Sequence, residues 1–149
     1  MNSDFKDLLR SLARHKVRYL LVGGYAVIHY AQPRFTNDLD IWLEPTAVNA
    51  RRVVLAFGDF GLPLIDVTEA DFATESFQYM IGRAPVLFDF LTSLPPLKFA
   101  YCWKHRETDN EDGIPIHYLP KSELIRAKQA AGRVVDLADL EELRRAGES

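Results

Sequence analysis

A nearly unbroken apolar run, Val17 to Val22, stops at Gly23-Gly24. A strand of that composition is of the kind buried on both faces. The segment after the glycines, Tyr25 to Ala31, reads as a helix that ends before Pro33. A second strand follows, Asp38-Leu-Asp-Ile-Trp-Leu-Glu44. Strand, glycine turn, short helix and another strand in such close order restrict the chain to a sheet with helices packed on it. Side chains alternate along a strand, so Asp38, Asp40 and Trp42 share one face while Leu39, Ile41 and Leu43 share the other. At the usual rise the two carboxylates stand about 6.5–7 Å apart along the strand. Two like charges on a mostly apolar strand are unfavourable without compensation. A divalent metal ion is the simplest counter-charge.

The remaining composition narrows the class. With 149 residues, 48% of them hydrophobic, the chain has enough apolar material for one packed domain over 1–149. A formal net charge of −3 gives no global basic field for nucleic acid or membrane, although a local patch remains open. Cys102 is the only cysteine, so no internal disulfide forms. The N-terminus lacks an apolar signal core, and no apolar run reaches the ~18 residues of a membrane span. A soluble cytoplasmic protein is expected, with no membrane partner.

The rest of the pattern fills in the expected elements. Ser3 caps a first helix that buries Phe5, Leu8, Leu9 and Leu12. Pro45-Thr46 opens a helix whose stripe runs through Ala50, Val53 and Phe57, with Gly58 closing it. Residues 64–67 read as a short strand, with a helical turn from Glu69. Phe77 to Ile81 and Val86 to Leu91 read as a hairpin across Gly82-Arg83-Ala84-Pro85. Phe99 to Arg106 is aromatic and basic, with no clear periodicity. Pro115 makes Ile114 to Leu119 an edge strand. Helices near Ser122–Ala131 and Asp136–Arg145 form a C-terminal helical pair over about 122–146. The expected fold class is α/β (α+β): a small mixed sheet with helices packed on it.

Several residues could carry chemistry. Gly23 and Gly24 serve either as a tight turn or as a close backbone approach to an anion at the following helix. Asp38 and Asp40 offer oxygen ligands suited to Mg2+ or Mn2+; the alternative is an ion pair with Arg34 beside a solvated strand end. Asp89 lies inside Val-Leu-Phe-Asp-Phe-Leu, so it either faces water on an edge strand or joins the other two acids. Three carboxylates could hold two divalent ions, and one could take a proton from an attacking hydroxyl. Lys128 aligns with Leu124 and Ile125, which lets it reach a phosphate or snorkel to water. Arg34 and Thr36 stand just ahead of the acid pair, within reach of a phosphate. Asp136 and Asp139 read as cap and first turn of the last helix, with Arg133 as their partner. His15, His29, His105 and His117 lack metal-ligand spacing. Arg10, Arg14, Lys16 and Arg18 read as a solvated face.

Together these residues resemble the nucleotidyltransferase superfamily, the DNA polymerase β-like fold, and most closely small bacterial proteins related to AbiEii-type abortive-infection toxins. The pattern is Gly23-Gly24 after the first strand, Asp38 and Asp40 one residue apart, and Asp89 on a later strand. Arg34-x-Thr36 ahead of the pair is similar to the sub-family, as are Lys128, Gly132-Arg133 and Asp136-Leu-Ala-Asp139-Leu140. The likeness runs from about Tyr19 to Leu143. It implies an enzyme that moves a nucleoside monophosphate from a nucleoside triphosphate to an acceptor hydroxyl, with release of pyrophosphate. Asp38, Asp40 and Asp89 would be catalytic and bind metal. Gly23, Gly24, Arg34, Thr36 and Lys128 would bind the nucleotide. The acceptor could be an RNA end, a protein or a small molecule. A short domain with an open cleft is expected to complete a substrate wall as a homodimer; the alternative reading is a catalytically idle protein of this fold that binds a nucleotide or a cognate partner, as half of a toxin–antitoxin pair. Two departures stand out: Gly24 replaces a serine common in the superfamily, and the further helical region of the longer toxins is not expected here.

Overall fold

A computed structural model describes residues 1–147; the last two residues of the domain expected over 1–149 lie outside it. The described residues form a single mixed sheet and seven helices in the order α1 (Ser3–Arg14), β1 (Tyr19–Val22), α2 (Gly23–Tyr30), β2 (Asp38–Leu43), α3 (Ala47–Phe60), α4 (Glu69–Phe72), β3 (Gln78–Arg83), β4 (Val86–Leu91), α5 (Phe99–Lys104), β5 (Glu107–Glu111), β6 (Ile114–Tyr118), α6 (Lys121–Ala131) and α7 (Val134–Ala146). The sheet order is β3-β4-β2-β1-β6-β5. β2 runs parallel to β4 and β1 parallel to β6, while the other neighbours are antiparallel.

The two faces of the sheet differ as the alternation in β2 requires. Leu39 pairs in register with Phe88, and Ile41 with Phe90. All four are buried. Phe5 of α1 packs its ring 5.4 Å from Phe88, and Phe57 of α3 lies 4.7 Å from Phe90. Helices α1 and α3 therefore close this face, helped by Phe72 of α4 against Phe57. The opposite face buries Leu20 and Trp42, the latter against Phe99 of α5, and towards the start of β2 it carries Asp38, Asp40 and Asp89 into an open cavity.

Local signals explain the element ends. The Asn2 side chain, not Ser3, caps α1 by accepting from the Phe5 N–H. Thr46 caps α3 by accepting from the Asn49 N–H. That helix runs past Gly58 to Phe60 and closes at Gly61, whose φ of +94° gives the left-handed turn glycine favours. The buried Asn49 side chain bonds the Arg18 N–H and the carbonyls of Arg18 and Glu44, pinning the ends of β1 and β2 together.

Two further expectations need correcting. Residues 64–67 form no strand; the Tyr79 hydroxyl donates to the Pro63 carbonyl and accepts from the Ile65 N–H, holding that segment as a loop. Ile114 to Tyr118 is internal, because β5 covers its outer side. Pro115 is tolerated there because β6 meets β1 only at Tyr118, past the proline. On the way, the Pro115 carbonyl accepts from the Tyr19 hydroxyl at 3.2 Å. The true edge is β5, Glu107-Thr-Asp-Asn-Glu111, an almost wholly exposed polar strand. No described helix is long and apolar enough to cross a membrane.

His117 of β6 sits between the rings of Tyr19 and Trp103, at 5.4 and 5.2 Å. Burial, and then the nearby Arg106 charge, push its pKa down to about 4. The unfolded chain binds a proton near pH 6.5, where the folded chain does not. Stability should therefore be fully present above pH 6.5 and fall as pH drops towards 4, by about 1–2 kcal/mol after discounting partial exposure. Chemical denaturation at pH 7 and pH 4.5 checks this: His117→Gln should flatten the difference relative to the unmodified chain.

Candidate active site

The parallel pairing of β2 with β4 decides where the acids meet. Asp40 is the register partner of Asp89, so the two side chains stand side by side on one face. Asp38, two residues back on β2, pairs with Leu87 and flanks them. All three line a cavity of about 710 Å3. Asp40 is held above the usual carboxylate range, at about 7. Burial is the main cause, followed by the charges of Asp89 and Asp38, with Lys128 partly opposing them. Gln78 of β3 donates to Asp89 Oδ1 at 2.8 Å, fixing that carboxylate's orientation.

Gly23 closes over this pair. Its φ is +67°, and a Cβ there would overlap the Asp40 carboxylate, with Asp40 Cγ only 2.8 Å away. A Cβ on Gly24 would meet Thr36 Oγ1 at 2.6 Å and Arg34 Nη2 at 3.1 Å. The glycines thus let the start of α2 press against the acid pair on one side and the 34–36 segment on the other. No side chain caps the α2 N-terminus, and its first turn carries no acid. The opening N–H groups are left to favour an anion at the cavity wall.

The C-terminal helices bring a buried charge cluster to the other side. Lys128 is 7% exposed; its Nζ lies 3.2 Å from Asp136 Oδ1 and 3.0 Å from Asp139 Oδ2. It neither snorkels to water nor stands free, yet it lines the cavity. Arg34 reaches across 105 residues to Asp139: Nη2 donates to Oδ2 at 3.2 Å, while Nε lies 3.0 Å from Oδ1 but off the hydrogen-bond line. Arg133 donates from Nε to Asp136 Oδ2 at 2.7 Å. Burial alone would raise the Asp136 pKa, but the bonds from Arg133 and Lys128 outweigh it and hold the carboxyl below its ordinary value.

Asp136 and Asp139 therefore do more than cap a helix. Asp136 does accept from the Arg133 N–H at the start of α7, but both acids are buried and form the anionic centre of a cluster with Arg34, Lys128 and Arg133. Their spacing in the sequence suggested a helix start; only the long-range pair to Arg34 reveals the second role. Gln78, Phe35 and Val135 also line the cavity. Sequence reasoning passed them over, because an amide, a loop aromatic and a helical valine carry no local signal.

Arg10, Arg14 and Arg18 are drawn away from this cavity. They pair with Asp7, Asp59 and Glu44 respectively. Arg18 also lies over the Trp103 ring at 5.5 Å.

The donor set on the acidic face consists of carboxylate oxygens, which suit hard divalent ions such as Mg2+ or Mn2+. Among the described residues no group of three or more His, Cys, Asp or Glu is drawn together as a closed ligand cage. The fit rests instead on the paired Asp40 and Asp89, whose mutual repulsion a divalent charge would relieve.

No family model matches the chain, and no curated protein matches it in sequence. Its fold does match solved structures. One is the crystal structure of the lincosamide antibiotic adenylyltransferase LnuA with lincomycin bound. The likeness has a TM-score of 0.59, 16% sequence identity, and covers 97% of this chain and 96% of that one. Over nearly its whole length, the chain shares the mixed-sheet fold of that adenylyltransferase.

Proposed function

We propose that this chain is a metal-dependent nucleotidyltransferase that moves a nucleoside monophosphate from a nucleoside triphosphate to an acceptor hydroxyl. The observation that carries this reading is the side-by-side Asp40–Asp89 pair, with Gly23 pressed against Asp40 at the uncapped start of α2. The α2 N–H groups, with Thr36 and Arg34 beside Gly24, receive the triphosphate. Arg34, Lys128 and Arg133 together outweigh Asp136 and Asp139, which leaves that side net positive. Asp38, Asp40 and Asp89 would hold Mg2+ or Mn2+, which when bound supplies charge to offset the triphosphate and polarise its α-phosphate. Asp89, oriented by Gln78, takes the proton as the acceptor oxygen bonds to the α-phosphorus. The bond to the β-phosphate bridging oxygen breaks, and pyrophosphate leaves. Positioning and electrostatics supply most of the rate.

The cavity wall beyond Asp89 bears on the acceptor. Ser76, Gln78, Ser93, Leu94 and Pro95 line it, and no cation stands among them. A polyanionic RNA end requires basic walls. A small molecule with a free hydroxyl fits better, and the neighbouring adenylyltransferase structure, with lincomycin bound, supports that class.

The test is transfer of label from nucleoside triphosphates labelled at the α-phosphate, with Mg2+, to panels of hydroxylated small molecules, total RNA and cell lysate. Transfer to a small molecule, lost in EDTA and reduced at least about a hundredfold in Asp40→Ala, is the expected result. Label on a lysate protein would point instead to a cognate partner, as in a toxin–antitoxin pair. Nucleotide binding with no transfer to any panel would mark a catalytically idle binding protein and overturn the enzymatic reading.

A further inference from the structure

Phe35 takes no part in the core. It is 80% exposed, and yet it lines the same cavity as the acid pair. Both of its neighbours are tied down. Arg34 is fixed to Asp139 of α7, and Thr36 lies against Gly24 at the start of α2. The backbone that carries Phe35 is therefore anchored between the start of α2 and α7, with the ring exposed at the cavity. Val135 stands one helical turn before Asp139, on the same side of α7, and is itself 45% exposed. With Ala127 and Ala131 of α6 it adds small apolar side chains to the cavity lining, beside Lys128 and Arg133, whose charges are taken up by Asp136 and Asp139. An exposed ring beside such side chains, next to a phosphate-favouring turn, matches one part of a nucleotide: the flat face of its base.

We propose that Phe35 is the stacking platform for the nucleobase of the bound triphosphate, with Val135 and Ala131 completing the slot. The assignment rests on the reading of this cavity as a triphosphate site. Aromatic stacking tolerates any base, because each has a π-face. The slot therefore takes purine and pyrimidine triphosphates alike, within about tenfold of one another.

Calorimetric titration in Mg2+ buffer with ATP and with inorganic tripolyphosphate tests this. Because Phe35 is exposed, Phe35→Ala should fold normally. It should weaken ATP binding about ten- to a hundredfold, the range expected of a lost base stack, and leave tripolyphosphate unchanged. Phe35→Trp should restore ATP affinity, with indole fluorescence quenched by ATP and not by tripolyphosphate. Unchanged ATP binding in Phe35→Ala, or equal loss of both ligands, overturns the stacking role while leaving the triphosphate site intact. If the unmodified protein binds neither ligand, the reading of the cavity itself falls, and the base slot with it.

Discussion

Gly23→Ala is expected to abolish nucleotidyl transfer and destabilise the fold in one step. The residue sits at φ +67°, where an L side chain costs about 1–2 kcal/mol. The added methyl would also collide with the Asp40 carboxylate. Asp40 cannot retreat easily, because Asp89 stands beside it in register and Val22 pairs with it from β1. Strain and collision together should lower stability by about 2–4 kcal/mol. Displacing Asp40 should remove transfer as fully as Asp40→Ala does. A melting curve and the label-transfer assay on the same preparation check both parts. A variant that melts and turns over like the unmodified protein would show that the glycine is a plain turn and that the acid pair is not held by it.

Lys128→Met is expected to lower the melting temperature by about 6–12 °C, a loss of about 3 kcal/mol. The methionine keeps most of the stem's volume but removes the ammonium between two buried acids. Arg133 and Arg34 would still face Asp136 and Asp139, which keeps the loss near the lower end for a broken buried ion pair. The double variant Lys128→Met/Asp139→Asn should lose less than the two single changes summed, because the second removes an acid the first leaves under-compensated. Additive losses would mean that the lysine and Asp139 act independently. On sequence grounds Lys128 reads as a side chain reaching for phosphate or for water. Its burial between Asp136 and Asp139 makes folding the larger readout.

The geometry of the acidic part of the candidate site was legible because it is written in local periodicity. Alternation alone placed Asp38 and Asp40 on one face of β2, and the glycine stop located the start of α2. Asp89 stood out as one charge in an apolar run, although only strand order could show that β4 lies directly beside β2. What escaped depends on distant partners. Asp136 and Asp139 look like ordinary helix-start acids until Arg34, far earlier in the chain, closes on one of them. Strand β5 escaped for another reason. Its residues are nearly all polar and exposed, so no hydrophobic alternation announces it; pairing with β6 alone makes it a strand. With β5 unannounced in the sequence, Pro115 looked like an edge signal.

That outer strand has a bearing on how copies of the chain meet. Glu107, Asp109 and Glu111 alternate along β5, so all three carboxylates project from one side of an exposed margin. Glu107 meets His29 and Glu111 meets Lys6 within their own molecule, so a second β5 laid alongside would crowd these pairs and set Asp109 against further acids. Sheet-to-sheet growth into fibrils is thereby disfavoured at this end, leaving β3 as the other margin from which it could begin.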